Sequence, residues 1–161
     1  MPISSTKQNT SLIEQVTSFT EVRKCPISGN KSLHARTRFV EGQILSKLSA
    51  KKVLDRPNYL TLQINQFQHI MLDPEWLQYV NHSCDPNIFF DTQKQEVMVL
   101  KPIGIGEEIT FFYPSTEWSM AQSFDCLCNS ENCLGKIQGA KFLSLDILTN
   151  YKVSDYILEI G

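Results

Sequence analysis

Asn81-His82-Ser83-Cys84-Asp85-Pro86-Asn87 is the stretch on which the reading of this chain turns. It sets an amide, an imidazole, a thiol and a proline turn side by side among apolar neighbours. Taken alone, Asn and Asp flanking Pro are turn formers, and such a segment is as readily structural as chemical. Further on comes Gly106-Glu107-Glu108-Ile109-Thr110-Phe111-Phe112-Tyr113, and then three cysteines spaced as Cys126-x-Cys128-x4-Cys133. Thiolates so close together repel unless a cation neutralises them, so the cluster reads as metal ligands. A closed structural site takes four ligands, and the two remaining cysteines, Cys25 and Cys84, are both candidates for the fourth.

The surrounding pattern is one of short strands. Leu33–Arg36 and Gln43–Leu48 read as strands separated by a Glu41-Gly42 turn. Tyr59–Ile64 and Phe67–Leu72 alternate around Asn65-Gln66 as a hairpin, and Ile88–Phe90 with Val97–Leu100 make a second around Thr92-Gln93-Lys94. Ile109–Tyr113 is a last strong strand. Asp73 as cap and Pro74 at the first helical position predict a two-turn helix that ends before Asn81. Leu12–Phe19 fits a strand or one helical turn, the first ten residues are expected to fray, and helices are expected over 144–151 and 154–160. There is no βαβ rhythm and no G-x-G-x-x-G, which leaves a nucleotide-binding parallel sheet without support. The expected class is mostly β with small helices.

Composition narrows the function classes. The 161 residues are 42% hydrophobic and 20% charged, a globular balance for one domain. A net charge of −2 gives no bulk attraction to nucleic acid. Residues 1–80 carry a balance of +4 and residues 81–161 one of −6, so an acidic half beside a binding site could attract a basic peptide; two ordinary solvated surfaces would look the same. No apolar run approaches a membrane span and the first residues lack a secretory core. An odd number of cysteines argues against a disulfide framework, so an intracellular location, cytoplasmic or nuclear, is expected.

The three motifs, in this order, resemble those of the SET-domain protein lysine methyltransferases: N-H-S-C-x-P-N, then G-E-E-[IL]-T-x-x-Y, then the C-x-C-x4-C of a post-SET segment. The likeness spans about Leu33 to Ala140. It implies a SET-domain, β-clip-like fold of small curved sheets with a knot-like crossing, followed by a short C-terminal helical tail. The implied division is an N-terminal extension at 1–20, the SET domain at 21–118, a post-SET zinc segment at 119–140 and the tail at 141–161. The implied activity is transfer of methyl groups from S-adenosylmethionine to a lysine of a protein or peptide substrate, histone or non-histone, with Zn2+ as a second cofactor. Small members of the family can dimerise, so a homodimer is open.

Residue by residue, the resemblance assigns Asn81 and His82, with the Lys31-Ser32-Leu33 loop and Tyr113, to the S-adenosylmethionine site. Tyr113 matches the active-site tyrosine, and Phe111 and Tyr113 the lysine channel, where a Phe at 111 leans toward di- or trimethylation. Cys84, Cys126, Cys128 and Cys133 match the zinc ligands, which leaves Cys25 as a free thiol. Trp118 and Phe124 fall either in a groove wall or in the core. One departure stands out. Where the family carries G-x-G-[VL]-x-A, this chain has Asn30 and Ser32 in place of the glycines, unless Gly29 serves with the loop shifted by a residue. Glycine permits positive φ and close ligand approach. The alternative to an enzyme is therefore a zinc-stapled SET-like binding module whose altered loop has lost transfer activity.

Overall fold

The computed structural model describes residues 12–160; the expected fraying of the first ten lies outside the described residues. Leu12–Val16 (β1), Thr20–Lys24 (β2) and Lys31–Ala35 (β3) form an antiparallel sheet in that order. Next come Ile44–Lys47 (β4), Ser49–Leu54 (β5), Leu62–Gln63 (β6) and His69–Asp73 (β7). Asn81–His82 (β8), Ile88–Asp91 (β9), Glu96–Val99 (β10) and Thr110–Phe111 (β11) follow. Two-residue strands Phe124–Asp125 (β12) and Lys136–Ile137 (β13) precede helices Leu145–Leu148 (α1) and Asp155–Ile160 (α2). The sheets are small: β4-β10-β9, β5-β7-β6, β11-β8 and β12-β13 beside the first. Small sheets and two short helices are the class expected from sequence. Among the described residues no helix is long and apolar enough to cross a membrane.

One core joins these pieces. Leu33, Leu62, Ile70, Leu77, Phe90, Val97, Ile109 and Phe111 are all buried within it. They are drawn from seven short segments, so no sheet buries enough apolar surface alone, and the elements stand only together. Trp118 lies outside this core and packs with Ala140, Leu148 and Ile157 in a second cluster under the tail.

Several local expectations change. Tyr59–Thr61 is not strand: Asn58 turns the chain, its Oδ1 accepting the Leu60 N–H at 2.8 Å and its own N–H donating to Thr61 Oγ1 at 3.0 Å. Ser49–Leu54 is an added strand paired with β7. Asp73 ends β7 instead of capping a helix, Pro74 takes the cap position without a side-chain bond, and Glu75–Tyr79 is a 3-10 helix. The last strong strand stops at Phe111, and Tyr113–Ser115 is a 3-10 turn. The Tyr113 N–H goes to the His82 ring instead of a neighbouring strand, and Pro114 follows with no N–H to extend the ladder.

The segment that positions the site is Glu107–Phe111. It lies between β3 and β8, with the Ala35 N–H donating to Glu107 O at 3.0 Å and the Ile109 N–H to Leu33 O at 2.8 Å. On its other side β11 pairs parallel with β8, Thr110 opposite Asn81 and Phe111 opposite His82. Asn87 fastens this crossing: its Nδ2 donates to Glu108 O at 2.8 Å and its Oδ1 accepts the Thr110 N–H at 2.9 Å. The final Asn of the opening motif is thus a structural clamp.

Candidate active site and metal centre

At the crossing, Asn81 is 2% exposed. Its Nδ2 donates to Lys31 O at 2.9 Å, which fixes the amide's orientation because a carbonyl only accepts. Its Oδ1 is buried and has no hydrogen-bond partner among the described residues. An unsatisfied buried acceptor costs about 1–3 kcal/mol, and a donor brought by a bound ligand would relieve it. The ammonium of an amino-acid group is such a donor, so these residues fit the amino-acid end of S-adenosylmethionine.

The altered loop does not strain this cradle. Of Gly29, Asn30 and Ser32, only Gly29 has a left-handed φ, +76°. It sits in the turn that Cys25 closes, its N–H donating to Cys25 O at 2.9 Å. Ser32 lies in regular strand, and its hydroxyl meets His34 Nε2 at 2.8 Å. His34 Nδ1 lies 3.0 Å from Gly106 O and must donate there, so Nε2 accepts from Ser32. Burial lowers the His34 pKa. The backbone conformation at position 32 does not require glycine.

His82 is fully buried, and burial pushes its pKa down to about 3, so the ring is neutral. Its Nδ1 accepts the Tyr113 N–H at 3.1 Å. The ring proton therefore sits on Nε2, which lies 3.4 Å from Cys84 Sγ. One imidazole thus links the tyrosine backbone to the thiol cluster.

Tyr113 is 1% exposed. Phe112 remains extended at φ −86° and ψ 106°, so side chains continue to alternate past the end of the strand. Phe111 and Tyr113 point the same way, ring centroids 4.8 Å apart, while Phe112 turns away and stacks on Tyr151 at 3.6 Å. His82 at 5.2 Å and Phe124 at 5.7 Å complete an aromatic wall around Tyr113. Phe111, Tyr113, Tyr59, Met120 and Glu117 line one cavity. The sequence singled out Phe111 and Tyr113 but not Glu117 or Met120.

The four Sγ atoms of Cys84, Cys126, Cys128 and Cys133 lie within 4.8 Å of one another, and Cys25 stands apart from them. Cys84 and Cys126 are 3.8 Å apart. A tetrahedral site with metal–sulfur bonds of about 2.3 Å has edges of about 3.8 Å, so the donor set suits zinc. Burial pushes the Cys84 thiol well above its ordinary range. At Cys128 burial acts the same way but is outweighed by hydrogen bonds from the Ser130 hydroxyl and N–H, with a pKa of about 6. The Leu134 N–H donates to Cys84 Sγ at 3.4 Å, a bond that suits a metal-bound thiolate. The tail locks onto the same loop, which the sequence did not show: the Tyr151 hydroxyl and Asn132 Nδ2 both donate to Cys84 O at 2.8 Å.

Comparison with known proteins agrees with this architecture. The family model described as SET domain matches residues 7–114, and the chain belongs to the SET domain family. A methyltransferase of Aspergillus flavus, flvH, is 37% identical over 121 residues, covering 74% of this chain and 67% of that protein. The histone-lysine N-methyltransferase Set2 of Drosophila melanogaster is 41% identical over 70 residues, 38% of this chain and only 3% of that protein. Among solved structures, KRYPTONITE in complex with mCHH DNA, an H3(1-15) peptide and SAH superposes with a TM-score of 0.56 at 19% identity, over 76% of this chain and 30% of that one. The methyltransferase domain of human SETMAR also gives 0.56, at 15% identity, over 80% of this chain and 61% of that one. At these identities the structural likeness speaks for the fold. The cysteines at 126–133 lie beyond the residues that the family model matches.

Proposed function

We propose that this chain transfers methyl groups from S-adenosylmethionine to a lysine side chain of a protein, in a cytoplasmic or nuclear setting where its thiols stay reduced. The observation that carries the reading is the parallel pairing of Asn81 with Thr110 and of His82 with Phe111. It places a buried acceptor suited to the cofactor and the aromatic cavity of Tyr113 on two adjoining strands. When bound, S-adenosylmethionine supplies an electrophilic methyl on a sulfonium sulfur. Asn81 and the Lys31–Leu33 backbone would hold its amino-acid end, and the His82 backbone would serve its adenine end. Phe111 and Tyr113 exclude water and align the amine, and alignment alone accounts for a large part of such a rate. Against the binding-module alternative, Ser32 adopts ordinary strand geometry without strain and its hydroxyl is engaged by His34.

Calorimetric titration with S-adenosylmethionine, followed by mass spectrometry of a lysine peptide incubated with both, tests the reading. No heat of binding returns the chain to the binding-module class. Asn81→Ala is expected to weaken cofactor affinity by roughly tenfold or more, the equivalent of about 1.4 kcal/mol from one lost buried hydrogen bond. Equal affinity in that variant places the cofactor elsewhere.

Phe111 bears on how many methyls are added. It is fully buried and its ring meets Phe90 edge-on at 4.7 Å. Phe111→Tyr would bring a hydroxyl to the cavity wall, able to hold a water in the volume an added methyl needs. A penalty of ~1.4 kcal/mol on the later transfers slows them about tenfold. The expected result is a shift from di- or trimethyl-lysine toward monomethyl-lysine with the first transfer largely preserved. A product distribution identical to wild type shows that Phe111 does not face the amine.

A further inference from the structure

Glu117 lines the same cavity as Phe111 and Tyr113 and is only 8% exposed. Its backbone N–H donates to Tyr113 O at 2.9 Å, so the turn that carries the tyrosine also carries this carboxylate. Its Oε2 accepts the Gln63 N–H at 3.0 Å and the Thr116 hydroxyl at 2.6 Å. A carboxylate has room for about four donors, and none of the ion pairs among the described residues includes this one. Burying a carboxylate is costly. If its task were only to receive the Gln63 N–H, a glutamine would do so without the charge. Burial raises its pKa to about 7, with the Thr116 and Gln63 hydrogen bonds pulling the other way.

We propose that Glu117 recognises the incoming lysine ammonium inside the cavity and accepts one of its protons, leaving a neutral amine beside Tyr113. The proposal rests on the cavity being the acceptor site. An alkylammonium with a pKa of ~10.4 is almost wholly protonated at neutral pH and has no lone pair to offer. In the step proposed, one N–H bond of the ammonium breaks and its proton bonds to the Glu117 carboxylate. The freed lone pair forms the new N–C bond to the methyl while the methyl–sulfur bond breaks and its electrons stay on sulfur. The positive charge passes to the methylated ammonium, and the carboxylic acid returns its proton to solvent. Other ionisable groups surround Glu117. Tyr59 and Tyr113 share the cavity. The Tyr156 hydroxyl on α2 bonds to Gln63 O and Thr116 O. His69 lies opposite Gln63 across the sheet, its pKa lowered by burial, and His82 stays neutral behind Tyr113.

The test is an NMR titration of the full chain with n-butylammonium chloride, which reproduces the lysine tip, without S-adenosylmethionine. Wild type is expected to bind about tenfold or more tightly at pH 8 than at pH 5.5, because only the ionised carboxylate pairs with the cation. Glu117→Gln keeps an acceptor for Gln63 and is expected to bind at least tenfold more weakly at pH 8, with no pH dependence. Thr116→Val removes one donor to the carboxylate and moves the wild-type midpoint to higher pH, so it decides the matter if Glu117→Gln does not fold. Equal binding by Glu117→Gln, a flat wild-type profile, or an unmoved midpoint in Thr116→Val overturns the role of Glu117 and leaves the cavity as acceptor site. Wild type that binds no butylammonium at either pH overturns both.

Discussion

Cys84→Ala is expected to empty the metal site and loosen residues 124–137. Structural zinc held by cysteine thiolates contributes on the order of 10 kcal/mol or more, while a whole domain is stable by only about 5–15 kcal/mol. Little else holds the chain between Phe124 and Leu134: β12 and β13 are two residues each, and Cys128 and Cys133 are only partly buried against the core, whereas from Ile137 onward the chain is anchored by buried apolar side chains. The loss would spread, because Tyr151 and Asn132 bond to the carbonyl of Cys84 itself. With Tyr151 displaced, Phe112 loses its stacking partner one residue before Tyr113. Elemental analysis is expected to give about one zinc per wild-type chain and none in Cys84→Ala, with hydrogen exchange rising sharply over 124–137. Cys25→Ser, remote from the cluster, is expected to leave the metal content unchanged. Metal-free wild type removes zinc from the account, and full occupancy in Cys84→Ala removes Cys84 from its ligands.

How far the sequence revealed this arrangement depends on how local each cause is. The Asn81–Asn87 stretch and the 126–133 cysteines carry their chemistry in spacing, so they could be read directly. Ser49–Leu54 could not, because β5 is exposed along almost its whole length and Ser-Ala-Lys-Lys-Val-Leu has no alternation to betray it. Asn87 reads as a turn former from its neighbours alone; its clamp on Glu108 and Thr110 exists only once the crossing forms. Glu117 reads as a solvated charge in Ser-Thr-Glu-Trp. Its burial comes from Gln63, 54 residues away, and from Tyr156, which closes over Gln63 and Thr116 from the tail. The cue that could have found it is its place four residues after the tyrosine and directly before Trp118, a weak signal without the fold.

Tyr113→Phe is expected to keep cofactor affinity within a few-fold of wild type and to lower methyl transfer about 10²–10³-fold, the usual cost of deleting one preorganised polar group at a reacting centre. The substitution is clean because the ring is held by features that survive it. Phe111, His82 and Phe124 surround it at 4.8, 5.2 and 5.7 Å, and the backbone N–H is fixed to His82 Nδ1 at 3.1 Å. Only the hydroxyl goes, and with it the group that can orient both the sulfonium methyl and the arriving amine. It is not assigned as the base, because a phenol with a pKa of ~10 is mostly protonated at neutral pH, whereas Glu117, with a pKa of about 7, is suited to that task. The two variants should therefore fail differently. Tyr113→Phe is expected to lower the rate at every pH and to keep butylammonium binding with its pH dependence, since the carboxylate is untouched. Glu117→Gln should lose that dependence while its phenol stays in place. Turnover in Tyr113→Phe equal to wild type would place the tyrosine in the wall of the cavity and not at the reacting atoms.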